Sequence, residues 1–304
     1  MKFFDLHCDT IGECCKNELS LSENNLHIDL ERGCAIGDYT QVFAVWISDE
    51  FRNHKAKTYF DNVADYYYKE LNKNSSVISE FKDNKNTPVK AILSVEGGSA
   101  CGGTIEGLYH LYDRGVRILT LTWNSENEIA SGAFSDGGFT DFGKEFVRNA
   151  EELGIVLDVS HLNRQSFFEF VEISKKPFIA SHSNADIVKN IYAQKRNLTD
   201  EQILCIKERN GLIGLNFCLD FIEDEKAQGI DSLCRQIDYF LTFGCEDALS
   251  FGSDYDGCKI HTDLCGVEKI TSVYNALQER GYDVRFLNKL FYENAFNFFK
   301  NIIR

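Results

Sequence analysis

Five imidazole and carboxylate side chains stand at the ends of short apolar segments that are far apart in the chain. They are His7, Asp9, Glu96, His161 and His182. His7 and Asp9 are two residues apart, so both side chains leave the same face of a strand. Imidazole and carboxylate ligands together suit zinc, with manganese or iron as alternatives. Glu96 could bridge two such ions at the roughly 3.5–4 Å spacing of two-metal hydrolases.

Each of these residues also has a purely structural interpretation when it is considered alone. A lone buried histidine usually has its hydrogen bonds met, Glu96 could be a turn carboxylate beside Gly97, and Asp254 and Asp256 could shape a loop. The whole set resists that interpretation, because buried strand ends should not collect uncompensated charge by chance. The sequence therefore predicts a metal centre. The eleven cysteines include no CxxC pair and supply no predicted ligand.

The apolar segments alternate with amphipathic ones, and this alternation predicts the fold. Eight short runs rich in Val, Ile, Leu or Phe have the character of strands buried on both faces. They are Phe3–Asp9, Phe43–Ser48, Lys90–Glu96, Val116–Trp123, Ile155–His161, Pro177–His182, Leu212–Phe217 and Ala248–Asp254. Eight strands with helices between them predict an α/β protein, a (β/α)8 TIM-type barrel with functional residues at the carboxyl ends of its strands. An open doubly wound sheet is the alternative, but no GxGxxG follows the first strand.

Helical periodicity fills the intervals between the predicted strands. The predicted helices are Tyr59–Phe81, Ile105–Arg114, Phe142–Leu153, Gln165–Ser174, Thr199–Glu208, Ser232–Phe243 and Val284–Ile303. Asp141, Thr199 and Asp231 are expected to cap three of them, because short polar side chains accept hydrogen bonds from the free N–H groups of a first helical turn.

Composition limits the remaining choices. The chain has 304 residues, 32 Lys and Arg, and 47 Asp and Glu, which gives a formal charge of −15. This length suits one barrel of about 250 residues or more, so residues 1–304 are predicted to form a single catalytic domain. The excess of acidic residues argues against nucleic-acid and anionic-membrane partners, which both need a basic surface. Neither a signal peptide nor a membrane span is recognised in the sequence. Eleven scattered cysteines are typical of a reduced, cytoplasmic protein.

Several motifs occur in an order that resembles one protein family. They are Asp5-Leu6-His7-Cys8-Asp9-Thr10, Val95-Glu96-Gly97, Leu119-Thr120-Leu121-Thr122-Trp123-Asn124, Asp158-Val159-Ser160-His161, Ala180-Ser181-His182-Ser183-Asn184, Arg196-Asn197 and Gly252-Ser253-Asp254-Tyr255-Asp256-Gly257. From Phe3 to about Phe299 the sequence resembles the membrane (renal-type) dipeptidases, and in particular the soluble microbial members of that family.

The resemblance implies a metallo-dependent hydrolase with two zinc ions per chain. By position, His7 and Asp9 are similar to the ligands of one zinc, and His161 and His182 to those of the other. Glu96 is similar to the carboxylate that bridges the two ions together with a water or hydroxide.

The same resemblance implies proton-transfer and substrate-binding roles for further residues. Asp254 matches the family's proton-transferring aspartate, and Arg196 matches the arginine that binds the substrate's C-terminal carboxylate. Trp123 stands where mammalian members carry a histidine that contacts substrate, and Asn124 or Tyr255 is expected to supply the missing polar contact. The implied reaction is hydrolysis of small dipeptides with a free C-terminal carboxylate, with tolerance of a D-residue at that position.

Other functions stay open at this point. A related amidohydrolase acting on N-acyl amino acids or another small amide fits the same centre, because fold does not fix substrate. A non-catalytic metal-binding protein is disfavoured, because Asp254 and all five predicted ligands are present. A single-metal phosphoesterase would leave two of these five residues without a role. A homodimer is implied by resemblance alone.

Overall fold

Nine parallel strands form the sheet of the computed structural model, which describes residues 1–83 and 85–303. The strands are β1 (Lys2–Cys8), β2 (Asp38–Trp46), β3 (Ile78–Glu80), β4 (Val89–Glu96), β5 (Ile118–Thr120), β6 (Val156–Asp158), β7 (Ile179–Ala180), β8 (Leu212–Leu215) and β9 (Leu249–Phe251). Neighbours follow the order β2-β1-β9-β8-β7-β6-β5-β4-β3, and β2 also pairs with β4. That last pairing closes eight strands into a ring and confirms the predicted barrel. Asn84 and Arg304, both inside the predicted domain, lie outside the described residues.

Helices connect the strands and cover the outside of the barrel. They are α1 (Thr10–Asn17), α2 (Leu30–Cys34), α3 (Asn53–Lys73), α4 (Ile105–Asp113), α5 (Asp141–Leu153), α6 (Arg164–Ile173), α7 (Ile191–Arg196), α8 (Asp200–Glu208), α9 (Leu219–Ile222), α10 (Gly229–Thr242), α11 (Ile270–Glu279), α12 (Val284–Asn288) and α13 (Asn294–Phe299). A single π-helical turn, Lys289–Glu293, joins α12 to α13. Within residues 1–83 and 85–303, no helix is long and apolar enough to cross a membrane.

The short strand β3 was not predicted from the sequence. The expected helix Tyr59–Phe81 is wrong at both ends, since α3 begins at Asn53 and ends at Lys73. Asn74 ends it, with its side-chain amide donating to the carbonyl of Glu70. On one edge of β4, β3 pairs with the first half of the strand and β5 pairs with the second half. β3 therefore lies outside the closed ring.

The three predicted helix caps fare differently. Thr199 and Gln202 form a reciprocal capping box at the start of α8, as predicted. Asp141 is not a cap, because Thr140 precedes it and accepts a hydrogen bond from the Gly143 N–H. Asp231 lies inside the first turn of α10, which begins earlier in the chain.

One apolar cluster closes the end of the barrel opposite to the predicted site. Seven ring strands contribute side chains to it, and α13 supplies more. The strand residues are Phe4, Leu6, Val42, Ile92, Ile118, Val156, Ile179 and Leu212. Because this end is filled with apolar groups, polar side chains that point inward are left to the carboxyl ends of the strands.

Candidate metal centre

The five predicted ligands meet at the carboxyl end of the barrel. His7 lies near the end of β1, Asp9 just after it, and Glu96 is the last residue of β4. His161 and His182 follow β6 and β7. All are buried except Asp9, whose side chain keeps 14% of its surface exposed. The register of β1 against β2 shifts between Asp5 and Cys8, and such irregularities commonly re-aim side chains at functional sites.

The Glu96 carboxylate lies between two pairs of side chains. Its Oε1 is 2.7 Å from His161 Nε2 and 3.4 Å from His182 Nε2. Its Oε2 is 3.5 Å from His7 Nε2, which in turn is 3.6 Å from Asp9 Oδ2. One carboxylate oxygen therefore faces each pair.

A hydrogen-bond relay fixes the tautomer of His182. Ser181 Oγ is 2.7 Å from Asp158 Oδ2 and 2.7 Å from His182 Nδ1. The serine has one hydroxyl proton, and the buried carboxylate can only accept, so the hydroxyl donates to Asp158 and accepts from the imidazole. His182 consequently carries its proton on Nδ1 and presents a lone pair on Nε2.

His161 is oriented in the same way by an amide. Its Nδ1 is 3.0 Å from Asn124 Oδ1, an acceptor, so its proton also lies on Nδ1. The Nε2 atoms of His161 and His182 then stand 2.8 Å apart, each with a lone pair, beside a Glu96 oxygen. Three acceptors converging in a buried space require a cation between them.

Two further buried atoms lack partners where a second cation would lie. His7 Nε2 and Asp9 Oδ1 have no hydrogen-bond partner among the described residues. The donor set of imidazole nitrogens and carboxylate oxygens is the one that zinc prefers in catalytic sites. The residues present thus fit a divalent metal centre on both sides of Glu96.

Electrostatics favour the ligating forms of the two histidines beside Glu96 Oε1. Burial lowers the pKa of His161, with Arg196 adding to the effect, and burial places the pKa of His182 well below its usual value. Both imidazoles are therefore neutral near pH 7. Burial alone would raise the pKa of Glu96, but His161 and His7 hold the pKa of that carboxyl well below its usual range.

His7 and Asp9 have opposing tendencies. Burial raises the pKa of Asp9 to about 7, and the Glu96 charge contributes in the same direction. Burial would lower the pKa of His7, but Glu96 and Asp9 raise it well above its usual value. Protons therefore stay bound to this pair near pH 7 when no cation is bound, and a divalent cation would displace them.

Asp254 approaches the His7–Asp9 side of the centre. One oxygen from each carboxylate and one nitrogen of His7 lie within 4.8 Å of one another. Asp254 Oδ2 accepts a hydrogen bond of 3.0 Å from Asn216 Nδ2, and its backbone is left-handed with φ of 62°. A left-handed non-glycine residue costs about 1–3 kcal/mol and is characteristic of functional sites.

Gly257 leaves room for two of these carboxylates. A Cβ at this position would overlap Asp9 Oδ2 and would lie 2.5 Å from Asp254 Oδ1. Atoms this close must move apart, so only glycine permits the observed positions of Asp9 and Asp254.

Arg196 is a buried cation at the end of α7. Its side chain is 5% exposed, and its guanidinium lies 5.3 Å from the ring centre of Phe221. Its Nη2 donates at 3.4 Å to the His182 carbonyl, and Nε has no partner among the described residues. Within residues 1–83 and 85–303, no carboxylate forms an ion pair with it, so its charge is available to an anionic ligand.

Trp123 and Asn124 border the centre, and Tyr255 does not. Trp123 packs edge-on against Trp46 at 4.9 Å, with its ring centre 6.4 Å from that of His161. Tyr255 is fully buried, and its hydroxyl donates to the backbone carbonyl of Leu264. The structure therefore does not support the expected polar contact from Tyr255 to a substrate.

Sequence reasoning missed several residues that hold the ligands in place. Asp158 accepts hydrogen bonds from Ser181 N–H, Ser181 Oγ and Ser160 N–H, and Asp5 accepts from Ser253 N–H and Oγ. The sequence signal that could have identified Asp5 and Asp158 is an acidic residue inside an apolar strand, because a buried carboxylate needs hydrogen-bond donors around it. Asn216, which holds Asp254, had no comparable signal.

A family model describing the membrane dipeptidases, peptidase family M19, matches residues 1–303 of the chain. The chain belongs to the membrane dipeptidase family. An uncharacterized protein from the pqqA 5′ region of Klebsiella pneumoniae is 30% identical over 223 residues, which cover 69% of this chain and 81% of that relative. The family predicted from the motifs is thus confirmed, and the protein is an enzyme, a metallopeptidase of the dipeptidase type.

Solved structures share the fold of this family member. A dipeptidase AC, a metallopeptidase of family M19, has a TM-score of 0.91 at 24% identity, with 99% of this chain and 98% of that chain covered. A metallopeptidase from Rhodobacter sphaeroides, solved with a phosphinate mimic of the dipeptide L-Ala-D-Ala, has a TM-score of 0.91 at 23% identity, with 99% of each chain covered.

Proposed function

We propose that the enzyme is a binuclear zinc dipeptidase that hydrolyses dipeptides with a free C-terminal carboxylate and tolerates a D-residue there. The observation that carries the proposal is the Glu96 carboxylate, with one oxygen facing His161 and His182 and the other facing His7. His7 with Asp9 and His161 with His182 would each hold one ion, and Glu96 would bridge them. Bound zinc ions supply Lewis-acid chemistry and a lowered pKa of water, about 7.

Asp254 is the proposed proton carrier. Asn216 holds one carboxylate oxygen and leaves the other free to take a proton from the attacking water. As the new C–O bond forms and the C–N bond breaks, the same carboxyl returns the proton to the amine, which cannot leave as an anion. The left-handed backbone conformation of Asp254 would direct its carboxylate toward Asp9.

Arg196 is the proposed anchor for the substrate. Its planar guanidinium matches a carboxylate, and its burial without an ion pair to any described carboxylate favours an anionic partner. A clamp on the terminal carboxylate selects short peptides without reading the chirality of the last residue. The L-Ala-D-Ala mimic bound by the Rhodobacter sphaeroides protein of the same fold supports this choice. Trp123 and Asn124 would form the wall beside the scissile bond.

We further propose that residues 1–304 act as one catalytic domain in a reducing compartment such as the cytoplasm. The first strand and the loop after β9 contribute His7 and Asp254 to one site, which supports a single domain. All eleven cysteines are free, which supports a reducing environment.

The zinc-loaded enzyme can be assayed on a matched panel of L-Ala-D-Ala, L-Ala-L-Ala, the two corresponding amides, and N-acetylalanine. We expect hydrolysis of both free-acid dipeptides and much slower hydrolysis of the amides. Asp254→Asn should keep its zinc but lose about 100-fold or more of the turnover, because proton transfer contributes that much. Asp263→Asn, a surface control, should be fully active. Preference for N-acetylalanine, or full activity of Asp254→Asn, would refute the proposal.

A further inference from the structure

Two thiols lie beside Asp254, and the proposed reaction gives neither of them a role. Cys218 follows β8 and is 5% exposed, and Cys258 is half-buried in the loop after β9. Their two Sγ atoms and one Asp254 carboxylate oxygen all lie within 4.8 Å of one another. Among residues 1–83 and 85–303, no other group of three metal-ligating side chains contains a cysteine.

The backbone holds this pair of thiols in place. Cys218 forms an antiparallel bridge with Ile260, and the Leu219 N–H donates to the Lys259 carbonyl at 2.9 Å. Asn216 connects both sides, since its Oδ1 accepts from the Cys218 N–H at 2.6 Å and its Nδ2 donates to Asp254 at 3.0 Å. The three side chains are therefore brought together by main-chain contacts and by the Asn216 side chain.

The donor types differ from those of the Glu96 centre. Two thiolates and a carboxylate favour the softest divalent ions, of which Cd²⁺ is representative, over the borderline-soft Zn²⁺ that suits the Glu96 centre. A Zn–S bond is about 2.3 Å long, so sulfur atoms within 4.8 Å of each other can share one ion with little movement. Cys258 is only partly buried whereas Cys218 is buried, so an ion would reach the pair from the Cys258 side.

We propose that Cys218, Cys258 and Asp254 form a third cation site, separate from the five-ligand centre and specific for thiophilic divalent ions. An ion there would engage the Asp254 carboxylate. Since the proposed function assigns proton transfer to Asp254, occupancy would inhibit hydrolysis. This inhibitory effect rests on the proposed function, whereas binding of the ion does not.

The test is a Cd²⁺ titration of the zinc-loaded, fully reduced enzyme, followed by ultraviolet thiolate-to-metal charge-transfer absorption and by dipeptide hydrolysis. His, Asp and Glu ligands do not produce this absorption, so exchange at the five-ligand centre stays silent. Cys258→Ser is the principal variant, and Cys218→Ala is the second in case the first does not fold. Cys205→Ser, at a half-buried thiol on α8, is the matched control.

We expect saturable absorption in the parent enzyme and in Cys205→Ser, with turnover falling about 100-fold at saturation. Cys258→Ser and Cys218→Ala should keep their basal activity, lose most of the absorption and resist Cd²⁺. Unchanged absorption in both of these variants would overturn the site. Absorption without inhibition of an active enzyme would overturn the inhibitory role. Absorption in an enzyme that hydrolyses no dipeptide would support the site and count against the proposed function.

Discussion

At the scale of single residues, the position of one proton on each imidazole decides what the centre can bind. Ser181 places the proton of His182 on Nδ1, and Asn124 does the same for His161. The lone pairs that remain face the Glu96 carboxylate. Ser181 is itself held by Asp158, 23 residues away, and Asn124 is 37 residues from His161. The ligands could therefore be predicted from their residue types, but the relay behind them could not.

Removing the Ser181 hydroxyl should weaken the metal centre without destroying the fold. Ser181→Ala leaves His182 Nδ1 and the Asp158 carboxylate without their shared partner. We expect zinc affinity to fall about 10- to 100-fold, as is usual for groups that orient a ligand. Competition with a chromophoric chelator measures the affinity. Ser250→Ala is the control, because this buried serine on β9 has a hydroxyl without a hydrogen-bond partner among the described residues, and its zinc affinity should be unchanged. Equal losses of affinity in both variants would contradict the relay.

A methyl group at Gly257 should displace both carboxylates that it contacts. Gly257→Ala pushes against Asp9 Oδ2 and Asp254 Oδ1, and a shift of about 1 Å in a catalytic group can cost 100-fold in rate. The turnover of a dipeptide measures the effect. Gly12→Ala on α1 is the control, because its new Cβ meets open space and should stabilise the helix by about 1 kcal/mol. Wild-type turnover in Gly257→Ala would show that these carboxylates tolerate movement.

At the scale of elements, the presence of the ring strands could be predicted more completely than the presence of the helices, since α1, α2, α7, α9 and α11 had no predicted counterpart. Every predicted strand overlaps an observed one, because buried parallel strands are continuous apolar runs that the sequence displays directly. The end of α3 and the presence of β3 were missed, since the apolar spacing continues past Lys73 and only the Asn74 cap stops the helix. Local hydrogen bonds of that kind decide helix ends and leave little trace in periodicity.

The corrected cap of α5 provides a test at this scale. Thr140→Ala removes the acceptor for the Gly143 N–H and should lower the free energy of unfolding by about 1 kcal/mol. Asp141→Ala removes an exposed ion pair with Lys144 and a carboxylate in the first helical turn, and it should lower the free energy of unfolding by less than Thr140→Ala does. Urea denaturation with a common m-value measures both. A larger loss in Asp141→Ala would restore the original assignment of the cap.

At the scale of the whole molecule, one end of the barrel is closed by apolar side chains and the other collects charge. The apolar end includes Phe4 and Phe299, and the polar end includes the Glu96 centre with its buried Arg196. The chain has a formal charge of −15, and part of this acidity, Asp9 and Glu96, lies where cations are expected to bind. The separation of the two ends explains how the fold keeps a charged site next to a stable core.

The most direct test of the binuclear centre is a zinc titration of the metal-free enzyme, with bound metal and L-Ala-D-Ala hydrolysis measured on the same samples. Because Glu96 faces a ligand pair with each oxygen, two zinc ions per chain should bind tightly, and full activity should require both. His7→Asn should bind one ion less and stay inactive. Full activity with one zinc ion per chain, or no hydrolysis with two zinc ions bound, would contradict a catalytic binuclear centre.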